Sequence, residues 1–115
     1  MTAKTAALIN HDTLTLLQPA AILVNASRGA VVDQAALIEF LQAGRIAGAA
    51  LDVFEDEPLP AHHPITELPH VVLTPHIAGL TTTSMERTAQ ASAQAVLDAL
   101  VGKTPEYVVN GVTVG

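Results

Sequence analysis

The chain has 115 residues and a mass of 11.9 kDa, enough for one modest core and too little for two. Half of the residues are hydrophobic and 14% are charged, which argues against disorder, and a net charge of −6 without any basic cluster argues against a nucleic-acid partner. The absence of Cys excludes disulfides and thiolate metal sites. No apolar run is long enough to span a membrane, and the opening MTAKTAALINHD lacks the flank and centre of a secretory signal, so a cytoplasmic protein is expected.

Asn10 and Asp12 precede Leu14, Leu16 and Leu17, a pattern for a short capped helix that ends by Pro19. The apolar run AAILVNAS (20–27), bounded by Pro19 and by Arg28-Gly29, predicts a buried strand. Asp33 is placed to cap a second helix with Ala36, Leu37, Phe40 and Leu41 on one stripe and Gly44 as its terminator. Residues 46–54 (IAGAALDVF) predict a second buried strand. EDEPLPAHHPITELPH (55–70) carries four of the seven prolines and reads as a surface loop. Residues 71–74 predict a third short strand.

Residues 82–101 contain neither Gly nor Pro, and Met85, Ala89, Ala93, Val96 and Leu100 recur at helical spacing. A long helix is expected there, followed by an extended tail with a turn at Asn110-Gly111. The small-residue face of Ala89, Ala91, Ala93 and Ala95 suits close helix packing. Apolar strands alternating with helices predict an α/β fold with an open parallel sheet, whose ligands bind outside the carboxyl ends of the strands. Three strands alone make a small sheet with two unprotected edges, so the chain reads like part of something larger.

Each predicted strand leads into an unusual polar group: Arg28 after VNAS, Asp52 and then Glu57 after GAAL, and His76 after VVLTP. Singly, each has a structural explanation. Together they converge on the ligand-binding edge as a chemically sensible set: arginine offers a planar fork for a carboxylate, histidine titrates near neutrality, and glutamate can hold a histidine protonated. Glu55 and Asp56 compete with Glu57 for that last role on sequence grounds. His62 and His63 suggest a metal, but adjacent histidines point apart and no third ligand is suitably spaced, so no metal site is expected.

The strings LVNASRGAVVDQAAL, AGAALDVFEDEP and VVLTPHIAG closely resemble signature segments of the D-2-hydroxyacid dehydrogenases, a match that covers nearly the whole chain in the right order. The resemblance implies the second half of a Rossmann-like, doubly wound NAD(P)-binding domain over residues 1–101, with 102–115 leading toward a substrate domain. It implies NAD, or alternatively NADP, as cofactor, a small 2-hydroxy or 2-oxo acid as substrate, and a homo-oligomer. Within it, Arg28 would clamp the substrate carboxylate, His76 would be the general acid and base, and Glu57, the acid directly before proline, would favour the imidazolium. Ala26, Ser27, Arg28, Asp52, His76, Ile77, Ala78 and Gly79 match positions lining the nicotinamide half of the cofactor. Glutamate at position 57 separates the chain from formate dehydrogenases, where the matching position resembles glutamine.

No G-x-G-x-x-G occurs in the sequence. In the resembled family that fingerprint lies in the first half of the cofactor domain, so Met1 is expected to begin in mid-domain and the isolated chain to be inactive. Two alternatives are a dinucleotide-sensing corepressor, which resembles the same family, and a fragment that self-associates through its sheet edge.

Overall fold

The structure, a computed structural model, describes residues 4–111. Three strands, β1 (Ile22–Asn25), β2 (Gly48–Leu51) and β3 (Val71–Leu73), form a parallel sheet in the order β1-β2-β3. The register aligns Leu23 with Ala49 and Ala49 with Val71, and Asn25 with Leu51 and Leu51 with Leu73. All three strands therefore end at one edge. They are shorter than the apolar runs predicted, because a strand extends only as far as its neighbour pairs with it. The expected α/β, Rossmann-like architecture is present.

Helix α1 (His11–Leu14) is capped by Asn10, whose side chain accepts from Thr13 N–H in a reciprocal capping box. It stops well before Pro19 because Leu16 and Leu17 donate to Thr13 and Leu14, three residues back, and so tighten out of the α-helix. Helix α2 (Gln34–Gln42) begins at Asp33, which accepts from Ala36 N–H, and ends before Gly44 at φ +63°. Helix α3 (Thr82–Leu100) is capped by Thr81. Two 3-10 turns that the sequence did not announce, Gly29–Val31 and Pro64–Glu67, lie in the connections on either side of β2.

The core lies on one face of the sheet. Leu37 and Phe40 of α2 are almost fully buried with Leu14, Ala49, Leu51 and Ile65, each large side chain contributing about 1.5–3 kcal/mol of burial. The strands alternate as period two requires: Leu23, Ala49, Leu51, Val71 and Leu73 face this cluster. The other face differs from the expectation of strands buried on both sides, since Ile22, Val24 and Val72 are more than 60% exposed. An apolar run announces a strand but not how many layers cover it.

The chain divides into two compact units between Ala78 and Gly79. The first holds the sheet, α1 and α2. The second holds α3, where Asp98 near the helix end accepts from Gln94 and Lys103, contacts that lower its pKa. No described helix is long and apolar enough to cross a membrane. The predicted extended tail is not a strand over residues 102–111, and its last four residues, 112–115, lie outside the described residues.

Gly29 sets how closely the segment after β1 approaches the end of β2. A Cβ at this position would lie 1.8 Å from the Phe54 carbonyl oxygen, and that neighbour is backbone. Gly29→Ala is therefore expected to lower stability by about 1–3 kcal/mol, the range for overpacking a tight core, with a matching fall in the urea midpoint; an unchanged midpoint would contradict the contact.

Candidate active site

The parallel register carries Arg28, Asp52 and His76 to the same edge of the sheet, because each follows its strand by one to three residues. Around β1 the turn is built by Asn25, a buried polar side chain at the strand end. Its Oδ1 accepts from Ser27 N–H at 3.1 Å and from the Ser27 hydroxyl at 2.8 Å, and its Nδ2 donates to the Arg28 carbonyl at 3.0 Å. This side-chain turn holds Ala26, Ser27 and Arg28 in the open, all three exposed. Arg28 Nη1 donates to the Ser27 carbonyl at 2.6 Å, and the rest of the guanidinium is available to a ligand.

Asp52 follows β2 and is buried, 6% exposed. Its Oδ1 accepts from the Thr74 hydroxyl and, at 2.9 Å, from Ile77 N–H, while Oδ2 accepts from Ala78 N–H at 2.8 Å. The Thr74 hydrogen bond is the main cause of a lowered carboxyl pKa, and burial opposes it. Asp52 thus acts within the protein, tying the segment after β3 to the end of β2. That segment is unusual: His76 has φ +55°, a left-handed conformation uncommon for a residue with a side chain, and its N–H donates to the Thr74 carbonyl at 3.1 Å across Pro75. The bonds from Asp52 to Thr74, Ile77 and Ala78 bracket His76 and hold this conformation in place.

The left-handed turn aims His76 at Glu57. Their Nδ1 and Oε2 atoms are 2.8 Å apart, with both side chains partly exposed. The other carboxylate oxygen of Glu57, Oε1, accepts from Phe54 N–H at 3.0 Å. The hydrogen bond from His76, followed by that from Phe54 N–H, lowers the Glu57 pKa, and the Arg28 charge adds to the same effect. With Nδ1 held by the carboxylate, Nε2 is the ring atom left to exchange a proton with a ligand. Glu57 precedes Pro58 through a cis peptide bond.

Of the competing acids, Glu55 turns the other way and accepts from Gln34 N–H at the start of α2. His63 caps the second 3-10 turn through Nδ1 and lies 3.2 Å from the Gln34 amide through Nε2. No group of three metal-ligating side chains forms among the described residues. Gly79 lies in the second unit, where its carbonyl accepts from Thr81 N–H and the Ser84 hydroxyl.

Two hollows flank the sheet edge. One of about 440 Å³ has Glu57 and His76 on its wall beside Phe54, Leu59, Leu73 and Pro75. The other, about 190 Å³, is an apolar slot over the strand ends lined by Val24, Ala26, Leu51, Val72 and Ala78 with Asp52 at its margin. A larger hollow of about 610 Å³ lies in the second unit, lined by Arg87, Gln94 and Tyr107, and contains none of the sheet-edge groups. Asn25, Gly29 and Thr74 were not singled out from sequence. A polar residue ending an otherwise apolar strand, as in ILVN, was the available signal for the first.

Asp52 and Glu57 both have folded-state pKa values below their unfolded values, so the stability they contribute is fully present above about pH 5 and is lost as pH falls through about 4 and below. Asp52→Asn is expected to be less stable at pH 7, because its amide would meet the Ala78 or Ile77 N–H, and to lose less stability between pH 6 and pH 3 than the parent. Parallel pH profiles of the two urea midpoints would contradict this account.

Residues 1–78 match the family model described as D-isomer specific 2-hydroxyacid dehydrogenase, NAD binding domain. The chain is 46% identical over 110 residues to a glyoxylate reductase of Thermofilum pendens, covering 96% of this chain and 32% of that protein. It is 44% identical to glyoxylate/hydroxypyruvate reductase B of Serratia proteamaculans, covering 96% and 34%. Among solved structures, the NADPH-dependent glyoxylate/hydroxypyruvate reductase of Sinorhizobium meliloti superposes with a TM-score of 0.88 at 33% identity, covering all of this chain and 37% of that one. A D-lactate dehydrogenase from Sporolactobacillus superposes with a TM-score of 0.83 at 36% identity, covering 98% and 38%. The chain spans about a third of the length of the curated relatives it matches. With the three signature segments assembled on one sheet edge and the family model matched across the whole sheet, the chain belongs to the D-isomer specific 2-hydroxyacid dehydrogenase family.

Proposed function

We propose that this chain supplies the acid–base wall of an NAD(P)-dependent reductase of small 2-oxo acids, of the glyoxylate or hydroxypyruvate type, working in reverse as a D-2-hydroxyacid dehydrogenase. The observation that carries this reading is the 2.8 Å Glu57–His76 pair at the edge where the Arg28 turn also ends. Arg28 offers its fork to the substrate carboxylate and polarises the neighbouring carbonyl. His76, anchored through Nδ1, delivers the proton to the carbonyl oxygen from Nε2 and recovers it in the oxidation. Glu57 keeps the ring oriented and places a negative charge beside it throughout.

NAD(P)H, when bound, supplies the hydride. The apolar slot over the strand ends suits the flat nicotinamide end of such a cofactor, because it is lined by Ala26 and by Val24 and Val72, which are more than 60% exposed on that face of the sheet. Ala26, Ser27, Arg28, Asp52, His76, Ile77 and Ala78 are the residues of the first unit assigned to that side, Asp52 by fixing the Ile77 and Ala78 backbone. The diphosphate and adenosine end has no G-x-G-x-x-G in these 115 residues to hold it. Turnover by the isolated chain is therefore not expected, since hydride donor and carbonyl must be held together in a closed cleft.

The test is a chimera in which this chain replaces the matching third of the Thermofilum pendens glyoxylate reductase. It should oxidise NAD(P)H with glyoxylate or hydroxypyruvate. His76→Ala should lower kcat about 100-fold or more, and Arg28→Lys should raise KM and lower kcat together, because an ammonium cannot reproduce a two-pronged contact. A folded chimera in which both variants keep full activity would overturn the reading, as would steady NAD(P)H oxidation by the unaided chain.

A further inference from the structure

The chemistry proposed above requires Arg28 and Glu57 to keep a fixed spacing, although they lie on connections from different strands. The two connections are locked together at the Phe54-Glu55 peptide. On one side its carbonyl abuts Gly29, the residue after Arg28, so closely that no side chain fits. On the other side its N–H donates to Gln34 Oε1 at 3.4 Å, and the Glu55 carboxylate returns the contact by accepting from Gln34 N–H at 3.0 Å. The exchange resembles a capping box made between two distant segments, with a carboxylate at the positive end of α2. The residue just before this peptide, Phe54, is the one whose N–H holds Glu57 Oε1.

Glu55 is an exposed side chain and Gln34 a buried one, 7% exposed, whose amide also reaches His63 Nε2 at 3.2 Å. An exposed acid two residues from Glu57 would ordinarily be a solvated neighbour. Here it fixes a peptide of the Glu57 connection against two points of the Arg28 connection, Gly29 at its carbonyl and Gln34 at its N–H. We propose that Glu55, through its reciprocal bonds with Gln34, is a positioning residue that sets the Glu57 carboxylate against His76 and in register with Arg28. The proposal rests on the Glu57–His76 pair acting as described above, and it assigns Glu55 no contact with substrate or cofactor.

The test follows the Glu57 side-chain carboxyl by carbon-13 NMR titration in the 115-residue chain. Glu55→Ala and Glu55→Gln remove the same charge, but only glutamine keeps an oxygen to accept from Gln34 N–H. The Glu57 midpoint is expected to move up toward that of an ordinary glutamate in Glu55→Ala and to stay near the parent value in Glu55→Gln. Loss of charge alone would shift both variants equally and downward, so equal midpoints overturn the proposal. So does loss of amide dispersion in Glu55→Ala, which would make the residue's role the fold itself. His76→Ala separates the two ideas: if it leaves the Glu57 midpoint unmoved, the acid–base pair is wrong, and if it raises the midpoint while Glu55→Ala does not, only the positioning role is wrong.

Discussion

The parallel pairing of three short strands is the constraint on which the rest depends. Because β1, β2 and β3 run the same way and in register, the residues that follow them emerge on one edge: Ser27-Arg28, Asp52 and Thr74-Pro75-His76. Antiparallel pairing of any strand would send its functional residue to the opposite edge, some four residues of strand away. The candidate groups are thus gathered by the backbone pairing of the sheet and not by contacts among the side chains themselves.

Precision at that edge comes from polar side chains with every partner accounted for. Asn25 folds the Arg28 turn, Asp52 spans from β2 to the Ile77 and Ala78 N–H groups, and Phe54 N–H steadies Glu57. No buried side-chain nitrogen or oxygen among the described residues lacks a partner. Such groups are costly to bury unpaired and directional when paired, so they fix a site more sharply than apolar packing does. His76 depends on this most, since its φ of +55° has to be held by its neighbours.

Much of this was legible in the sequence, and the boundary between legible and not is physical. Asp33, Gly44 and the stripe Leu37, Phe40, Leu41 identify α2 because caps and periodicity are local signals. Arg28, Asp52 and His76 stand out because a charged group at the end of an apolar run is rare. Glu57 needed the family resemblance, and the geometry separates it from Glu55, which turns to Gln34 instead of His76. Hydrogen bonds such as Asp52 to Ala78 or Glu55 to Gln34 join residues more than twenty positions apart, and no local pattern announces them. The exposure of Ile22, Val24 and Val72 was equally illegible, because ILV reads as buried whichever face is covered.

In the proposed reaction, one sheet edge presents Arg28 as a carboxylate clamp and His76 as a proton donor to the same small acid. The most direct measurement is a crystal structure of the glyoxylate reductase chimera with NADP and oxamate, a planar stand-in for a 2-oxo acid. The oxamate carboxylate is expected on the Arg28 guanidinium and its amide carbonyl oxygen within hydrogen-bond reach of His76 Nε2, with Nδ1 still on Glu57. Oxamate bound away from Arg28, or a His76 ring turned so that Nε2 faces Glu57, would contradict it.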